Sequence, residues 1–432
     1  MLLPRTVLSD LESRLDLAAD GLRIIEVPVE LDPLDLVRAG ADATAYAAYF
    51  SSPRSGEVGA IGAAHRTFTS GPDRFHDLDD ALRRLPSGAT VLTGFAFGDD
   101  AGRGQWAGFP AAEIVVPEIA VVRRGGAARL VVAVPAGSDG GSTLALLAGL
   151  ERPGPLLPGG DGDETAEGRP APTDYLDWVD QAVTAIRAGE LSKVVMARAV
   201  VMRRALTLDA FAVVARLRDD HPGSWVFGWQ AGEAAFVGAS PELLVARTGE
   251  HMEANPLAGS ARRGDDPEQD RKLGEGLLAS IKDRDEHELV IVDALERLGP
   301  LAEGLHRSPT PQLQRFTTVQ HLATPIAGTT RARLLELAAA LHPTAAVGGV
   351  PRGPALAFIA RMEDFERGWY SGGIGWVDPE GDGEVAIALR CALLRGDTAT
   401  AYAGCGIVAG SVPAEELEET RLKLRPILEV LI

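Results

Sequence analysis

Apolar residues along this chain fall into short blocks whose period switches repeatedly between two and about 3.6. The first third carries strand-like runs at 89–98 (ATVLTGFAFG), 112–124 (AEIVVPEIAVVRR) and 128–137 (ARLVVAVPAG). An amphipathic helix is predicted over 174–190, where Leu176, Val179, Ala182, Val183 and Ile186 form one stripe. A strand follows at 193–203, then a helix near 208–222. Further strand-like runs occupy 224–230, 234–247 and 251–259. A polar, then helical, stretch extends from Asp266 to Leu298. Two more strands are expected at 384–396 and 398–408, ahead of an acidic helix. Helices mixed with hairpin-like strands, without regular βαβ spacing, predict an α/β chain of the α+β kind with largely antiparallel sheets.

The clearest seam is PGPLLPGGDGDETAEGRPAPTD, rich in proline, glycine and acid. It divides the chain into an N-terminal part (1–152), a linker or long loop (153–174) and a main region (175–432). No solenoid repeat, GxxxxGK[ST] loop or complete dinucleotide fingerprint is present.

Composition narrows the partners. The chain has 42 basic and 61 acidic side chains, a formal charge of −19, which argues against nucleic acid or an anionic membrane. Two cysteines, Cys391 and Cys405, are too few for a disulfide framework or a multi-cysteine zinc site. Asp10 and Glu12 interrupt the start before an apolar signal core develops, and no apolar run reaches membrane-spanning length. A soluble, cytoplasmic protein is expected.

Candidate chemistry begins near the C-terminus. Glu416, Glu419 and Lys423 stand at i, i+3 and i+7, one face of a helix, just after the glycine-punctuated AYAGCGIVAG (401–410). A carboxylate pair beside an amine suggests a divalent cation holding an anionic ligand. Glu286, within ASIKDRDEHELVIVDALERLG, would add a third oxygen donor, a set that suits Mg²⁺. Lys193 opens an apolar strand: either an edge lysine reaching water, or a desolvated amine able to act as a base. Glu242 follows a Ser-Pro turn among apolar residues, either as a loop carboxylate or as a buried acid able to donate a proton. His321 and Arg390 are the remaining polar candidates, each open to a purely structural reading.

Ten segments, in order, then carry a resemblance: LSKVV (191–195), VGASPELL (237–244), NPLAGSARR (255–263), LLASIKDRDEHELV (277–290), QHLATPIAG (320–328), LHPTAAVGG (341–349), GGIGW (372–376), IALRCALL (387–394), AGCGIVAGSVP (403–413) and EELEETRLK (415–423). Across residues 175–432 the chain resembles the chorismate-utilising enzymes, and among them the isochorismate synthases. The resemblance implies two packed antiparallel sheets with helices outside, Mg²⁺ as cofactor and chorismate as substrate. Water would add at C2 of the ring while the C4 hydroxyl leaves. By matching positions, Lys193 would be the general base and Glu242 the general acid. Glu286 and Glu419 would ligate Mg²⁺, with Glu416 and Asp283 helping through water. Arg390, Lys423 and the backbone around Gly259, Ser260, Gly404 and Gly406 would hold carboxylates, and His321 and Thr324 would line the ring pocket. Burial should push the lysine down and the glutamate up, the directions the chemistry needs.

Within the family, lysine at 193 favours water over ammonia, so no glutaminase subunit is expected. Ala258 offers no amine for covalent capture, which separates the chain from aminodeoxychorismate synthases. The aliphatic pair Ala346–Val347 points to isochorismate release rather than onward elimination to salicylate. A salicylate or anthranilate synthase, or a non-catalytic chorismate-binding protein, are the alternatives. A monomer or homodimer is expected, feeding menaquinone or siderophore synthesis.

Overall fold

The computed structural model describes residues 2–15, 21–155 and 165–431. The strand Ala112–Arg124 is the hinge of the architecture, because it pairs on one side with Gly56–Thr69 and on the other with Val91–Phe95 and Ala127–Val134. Two antiparallel arms grow from it. The first runs Gly56–Thr69, Tyr46–Ser52, Trp225–Ala231, Ala234–Ser240, Cys391–Arg395, Thr398–Ile407 and Lys193–Arg203. The second runs Val91–Phe95, Gly373–Val377, Gly383–Ile387, Leu243–Thr248, His251–Asn255, Ile326–Thr330 and Ala302–Arg307. Residues before 153 thus supply strands to both arms.

An aromatic cluster fills the space between the arms. Trp106, Trp229 and Trp369 are fully buried there with Phe109, Phe227 and Phe236. Their rings meet mostly edge to face, as at Trp229–Trp369 (5.4 Å) and Phe109–Trp369 (5.2 Å), the arrangement favoured by the ring quadrupole. Helices cover the outer faces: Pro33–Gly40 and Ala210–Asp220 on the first arm, Arg74–Leu82 and Leu334–Leu341 on the second. A small sheet of Leu257–Arg262, Val319–Ala323 and Gln312–Arg315 stands apart and leans on the helix Ile281–Leu298.

The expected mixed, mainly antiparallel fold is the one found, with breaks where long runs were expected. The run 234–247 divides at Pro241–Glu242, and 384–396 divides at 388–390. The helical stretch 266–298 breaks at Ser280, whose hydroxyl caps the second helix by accepting the Asp283 N–H. Of the proposed linker 153–174, residues 156–164 lie outside the described residues. Its later part is ordered differently: Thr165–Arg169 pairs with Lys193–Arg203, and Pro172 already opens a helix. Proline at the first helical turn loses no hydrogen bond, which is why the helix begins two residues early. Among the described residues no helix is long and apolar enough to cross a membrane.

Candidate active site

A cleft opens where the inner ends of Lys193–Arg203 and Thr398–Ile407 meet the small sheet and the helices Ile281–Leu298 and Pro413–Leu431. Antiparallel pairing sets Val195 opposite Gly406 and Ala197 opposite Gly404, so these residues and Lys193 share a face by strand alternation. Glycine at 406 is a spatial requirement. A β-carbon there would stand 2.0 Å from Glu286 Oε1 and 2.8 Å from Lys193 Cε.

Lys193 is 1% exposed, and its Nζ lies 3.0 Å from Glu286 Oε1, an ion pair that its sequence neighbours give no sign of. The strand is fixed from behind by Arg367, which donates to the carbonyls of Val195 and Val347 (both 2.8 Å) and pairs with the buried Glu363. One guanidinium thus ties the Lys193 strand to the wall carrying Ala346 and Val347.

Glu242 enters the cleft because the strand breaks there. Ser240 Oγ donates to the Ile387 carbonyl and accepts the Glu242 N–H (3.2 Å), a local turn that leaves the next side chain pointing inward. The carboxyl is buried, and among the described residues its Oε1 accepts only the Leu257 N–H (3.2 Å). Burial is the largest influence and raises its pKa. That N–H and the charges of Lys193, Arg390 and Lys423 pull the other way, and the balance stands at about 7.

Arg390 sits in the second strand break with φ +50°, a conformation that strains a non-glycine residue by about 1–3 kcal/mol. Its Nη2 donates to His321 Nε2 (3.3 Å). The proton of His321 therefore lies on Nδ1, which faces the Gly259 carbonyl and Ser260 Oγ, each at 3.1 Å. Burial, then the charges of Arg390 and Lys423, push the His321 pKa down to about 3, so the ring is neutral. Gly259 adopts φ +69° with Asp283 packed against it.

The acidic side of the cleft is a set of carboxylates, each held by a lysine. Glu286 meets Lys193, Glu419 meets Lys423 (2.6 Å), and Glu416 meets Lys282 (2.8 Å). Lys423 also donates to the Gly404 carbonyl (3.0 Å). Burial raises Glu416 first, and the nearby charge of Glu419 adds to it. Burial would raise Glu419 too, but Lys423 outweighs it and holds that carboxyl below its usual range. Glu416 and Glu419 can bring ligand atoms within 4.8 Å of each other and of Cys405 Sγ. Burial, then the charge of Glu419, raises the thiol of Cys405, and its S–H donates to the Glu416 carbonyl (3.2 Å), so it is no thiolate ligand. What remains is a hard-oxygen donor set with mutual repulsion, which fits a hard divalent cation such as Mg²⁺.

The cleft brings together Lys193, Glu242, Gly259, Ser260, Glu286, His321, Ala346, Val347, Arg390, Gly404, Gly406, Glu419 and Lys423. Three expected residues stand elsewhere. Thr324 does not line it: its hydroxyl bonds His287 Nε2 (2.8 Å) and borders a separate groove with Arg307. The turn before Pro325 aims it away from the ring pocket. Glu416 lies behind Glu419 with Lys282. Asp283 is held at the first turn of its helix, where burial raises its pKa and the charges of Glu286 and Glu419 reach it. Tyr370 and Tyr402 line the cleft without having been foreseen, their rings stacked at 5.1 Å. Tyr402 was readable, since it shares strand parity with Gly404 and Gly406. Tyr370 lies in a turn before Ser371 (φ +62°), where no period points to a face.

The chorismate binding enzyme family profile matches residues 18–432. A salicylate biosynthesis isochorismate synthase of Pseudomonas aeruginosa is 37% identical, over 96% of this chain and 91% of the relative. The isochorismate synthase MenF of Bacillus subtilis is 31% identical, over 93% and 91%. Among solved structures, the menaquinone-specific isochorismate synthase MenF from Escherichia coli superposes with a TM-score of 0.88 at 30% identity, covering 99% of both chains. Anthranilate synthase component I from Streptococcus pneumoniae, at 22% identity and a TM-score of 0.70 over 88% of this chain and 92% of that one, shares the fold.

Proposed function

Because this chain belongs to the chorismate binding enzyme family, we propose that it is an isochorismate synthase, adding water at C2 of chorismate with loss of the C4 hydroxyl. Relatives bearing that activity, matched over nine-tenths of their length, support the reading. The observation that carries it is that Lys193 and Glu242, an amine and a carboxyl that titrates near neutrality, line one cleft whose remaining polar groups suit anions and a cation.

Water is a weak nucleophile and hydroxide a poor leaving group, so both ends of the reaction need proton transfer. Lys193 takes the proton of the attacking water. Glu242, protonated at and below about pH 7, gives its own to the departing hydroxyl. Arg390 and Lys423 face the substrate carboxylates, and the neutral His321 orients Arg390 through Nε2. Glu286 and Glu419 would hold Mg²⁺, with Glu416 and Asp283 behind them. A divalent ion held by these carboxylates would supply charge neutralisation for an anionic substrate and would compete with Lys193 for Glu286. Ala346 and Val347 leave an apolar wall, consistent with product release before any elimination of pyruvate.

The test is one chromatogram of enzyme incubated with chorismate and Mg²⁺, beside the Lys193→Ala variant. Isochorismate is expected from the wild type, and none from the variant although chorismate still binds. Salicylate, anthranilate or no product from the wild type, or near-normal turnover in the variant, overturns the assignment.

A further inference from the structure

Glu242 faces two spaces. Behind it, away from the main cleft, lies a second recess with room for about one water, walled mostly by apolar side chains such as Val290 and Ala294. Two further polar groups reach it. Thr344 Oγ1 is buried with no hydrogen-bond partner among the described residues. Asp293 stands on the helix Ile281–Leu298, its carboxylate held by Arg297 at 2.7 and 2.8 Å and partly open to solvent. A buried hydroxyl without a partner is costly, and a recess that offers it a carboxyl neighbour is the kind of place an internal water satisfies.

The chemistry gives that water a task. In each turnover, on the reading proposed above, Glu242 loses a proton to the leaving hydroxyl and must regain one. From the cleft side, a proton must pass bound substrate or product and the cations Lys193, Arg390 and Lys423. Like charge at that range opposes it. None of the residues lining the rear recess is a cation; behind them Arg297 is paired with Asp293, and Arg352 donates to the carbonyls of Ala340 and Leu341.

We propose that Thr344 is a positioning residue that holds a water in this recess, and that this water returns the proton to Glu242 after each turnover. An external acid protonates the water, which passes one of its protons to the carboxylate. Only O–H bonds form and break, and the Thr344 hydroxyl keeps the water in line.

The measurement is the kinetics of wild type, Thr344→Val and Thr344→Ser in H₂O and D₂O, over a range of concentrations of a small buffer acid. Thr344→Val should lower steady-state kcat roughly tenfold with KM unchanged. Its solvent isotope effect on kcat should grow, and added buffer acid should restore the rate. The first turnover of enzyme already protonated at Glu242 should keep its wild-type rate, which a merely structural role would not allow. Thr344→Ser should behave as wild type. Should Thr344→Val fold poorly, Ala294→Leu, which fills the recess, replaces it with the same expectations. A wild-type kcat and isotope effect in the variant, or a first turnover slowed as much as the steady state, overturns the proposal. A Glu242→Gln enzyme that turns over at nearly the wild-type rate would instead remove the acid assignment beneath it.

Discussion

A carboxyl at position 242 is useful because it is starved of partners. One backbone N–H and distant cations fail to offset its burial, and its pKa settles near 7 instead of near 4.5. The acid limb of catalysis follows directly. kcat/KM should fall about tenfold per pH unit above pH about 7, as Glu242 deprotonates. Glu242→Gln should lose roughly 10²–10⁴-fold in kcat, and its remaining rate should lack that limb. The same shift has a stability sign. A carboxyl whose pKa is raised on folding stabilises the fold fully below its unfolded value, and that contribution is lost as pH rises from 4.5 through about 7. Thermal melts of Glu242→Gln should therefore lack this loss, and identical pH dependence of melting in both proteins would contradict the burial argument. Lys193 is a different case. Its place in an apolar strand was legible, but the ion pair with Glu286 was not, because position 286 is on a helix 93 residues away in sequence.

At the scale of elements, the site is made by interruptions. Continuous hydrophobic runs at 234–247 and 384–396 read as single strands, yet each breaks at a functional residue: Glu242 after Pro241, and Arg390 at φ +50°. Proline explains the first, since it cannot donate to a ladder. Nothing in IALRCALL announces the second, because the strain at Arg390 is held by its surroundings and not by its own preference. The strand Thr398–Ile407 contributes by what it lacks. Gly406→Ala places a β-carbon 2.0 Å from Glu286 Oε1, the far end of a flexible side chain that can swing aside. Moving it breaks the buried ion pair with Lys193, so stability should fall by about 3 kcal/mol and activity at least tenfold. Equal activity at wild-type Mg²⁺ would show that Glu286 need not stand there. The acidic helix behaved as its period demanded in part: Glu416, Glu419 and Lys423 share a side, but only the last two reach the cleft wall.

For the whole molecule, the two sheet arms meeting at Ala112–Arg124 bring residues 193, 242, 286, 390 and 419 to one end of a sandwich. The buried tryptophans between the arms pack the two sheets together, and the cleft is positioned by that frame. The carboxylates there are each paired with a lysine, so a cation held by them competes with those ion pairs. Mg²⁺ should nevertheless raise the melting temperature in a saturable way, reaching about 2.7 kcal/mol of added stability at a hundred times its Kd. Glu419→Gln should reduce that effect, and melting curves that ignore Mg²⁺ in the wild type would remove the metal from these carboxylates. The comparison of E419Q with E416Q also separates a ligand at the cleft wall from one behind it.

The sequence by itself determined the kinds of group available, their order, and the alternation that sets Gly404 and Gly406 on one face of a strand. Local period is enough for that, since it follows from the backbone repeat alone. Only the tertiary structure decided which carboxylates enter the cleft, that Thr324 turns to His287 instead, that Tyr370 joins the wall, and that a recess opens behind Glu242. Those outcomes depend on how faces of distant elements pack, and packing energy belongs to pairs of surfaces that no single segment specifies.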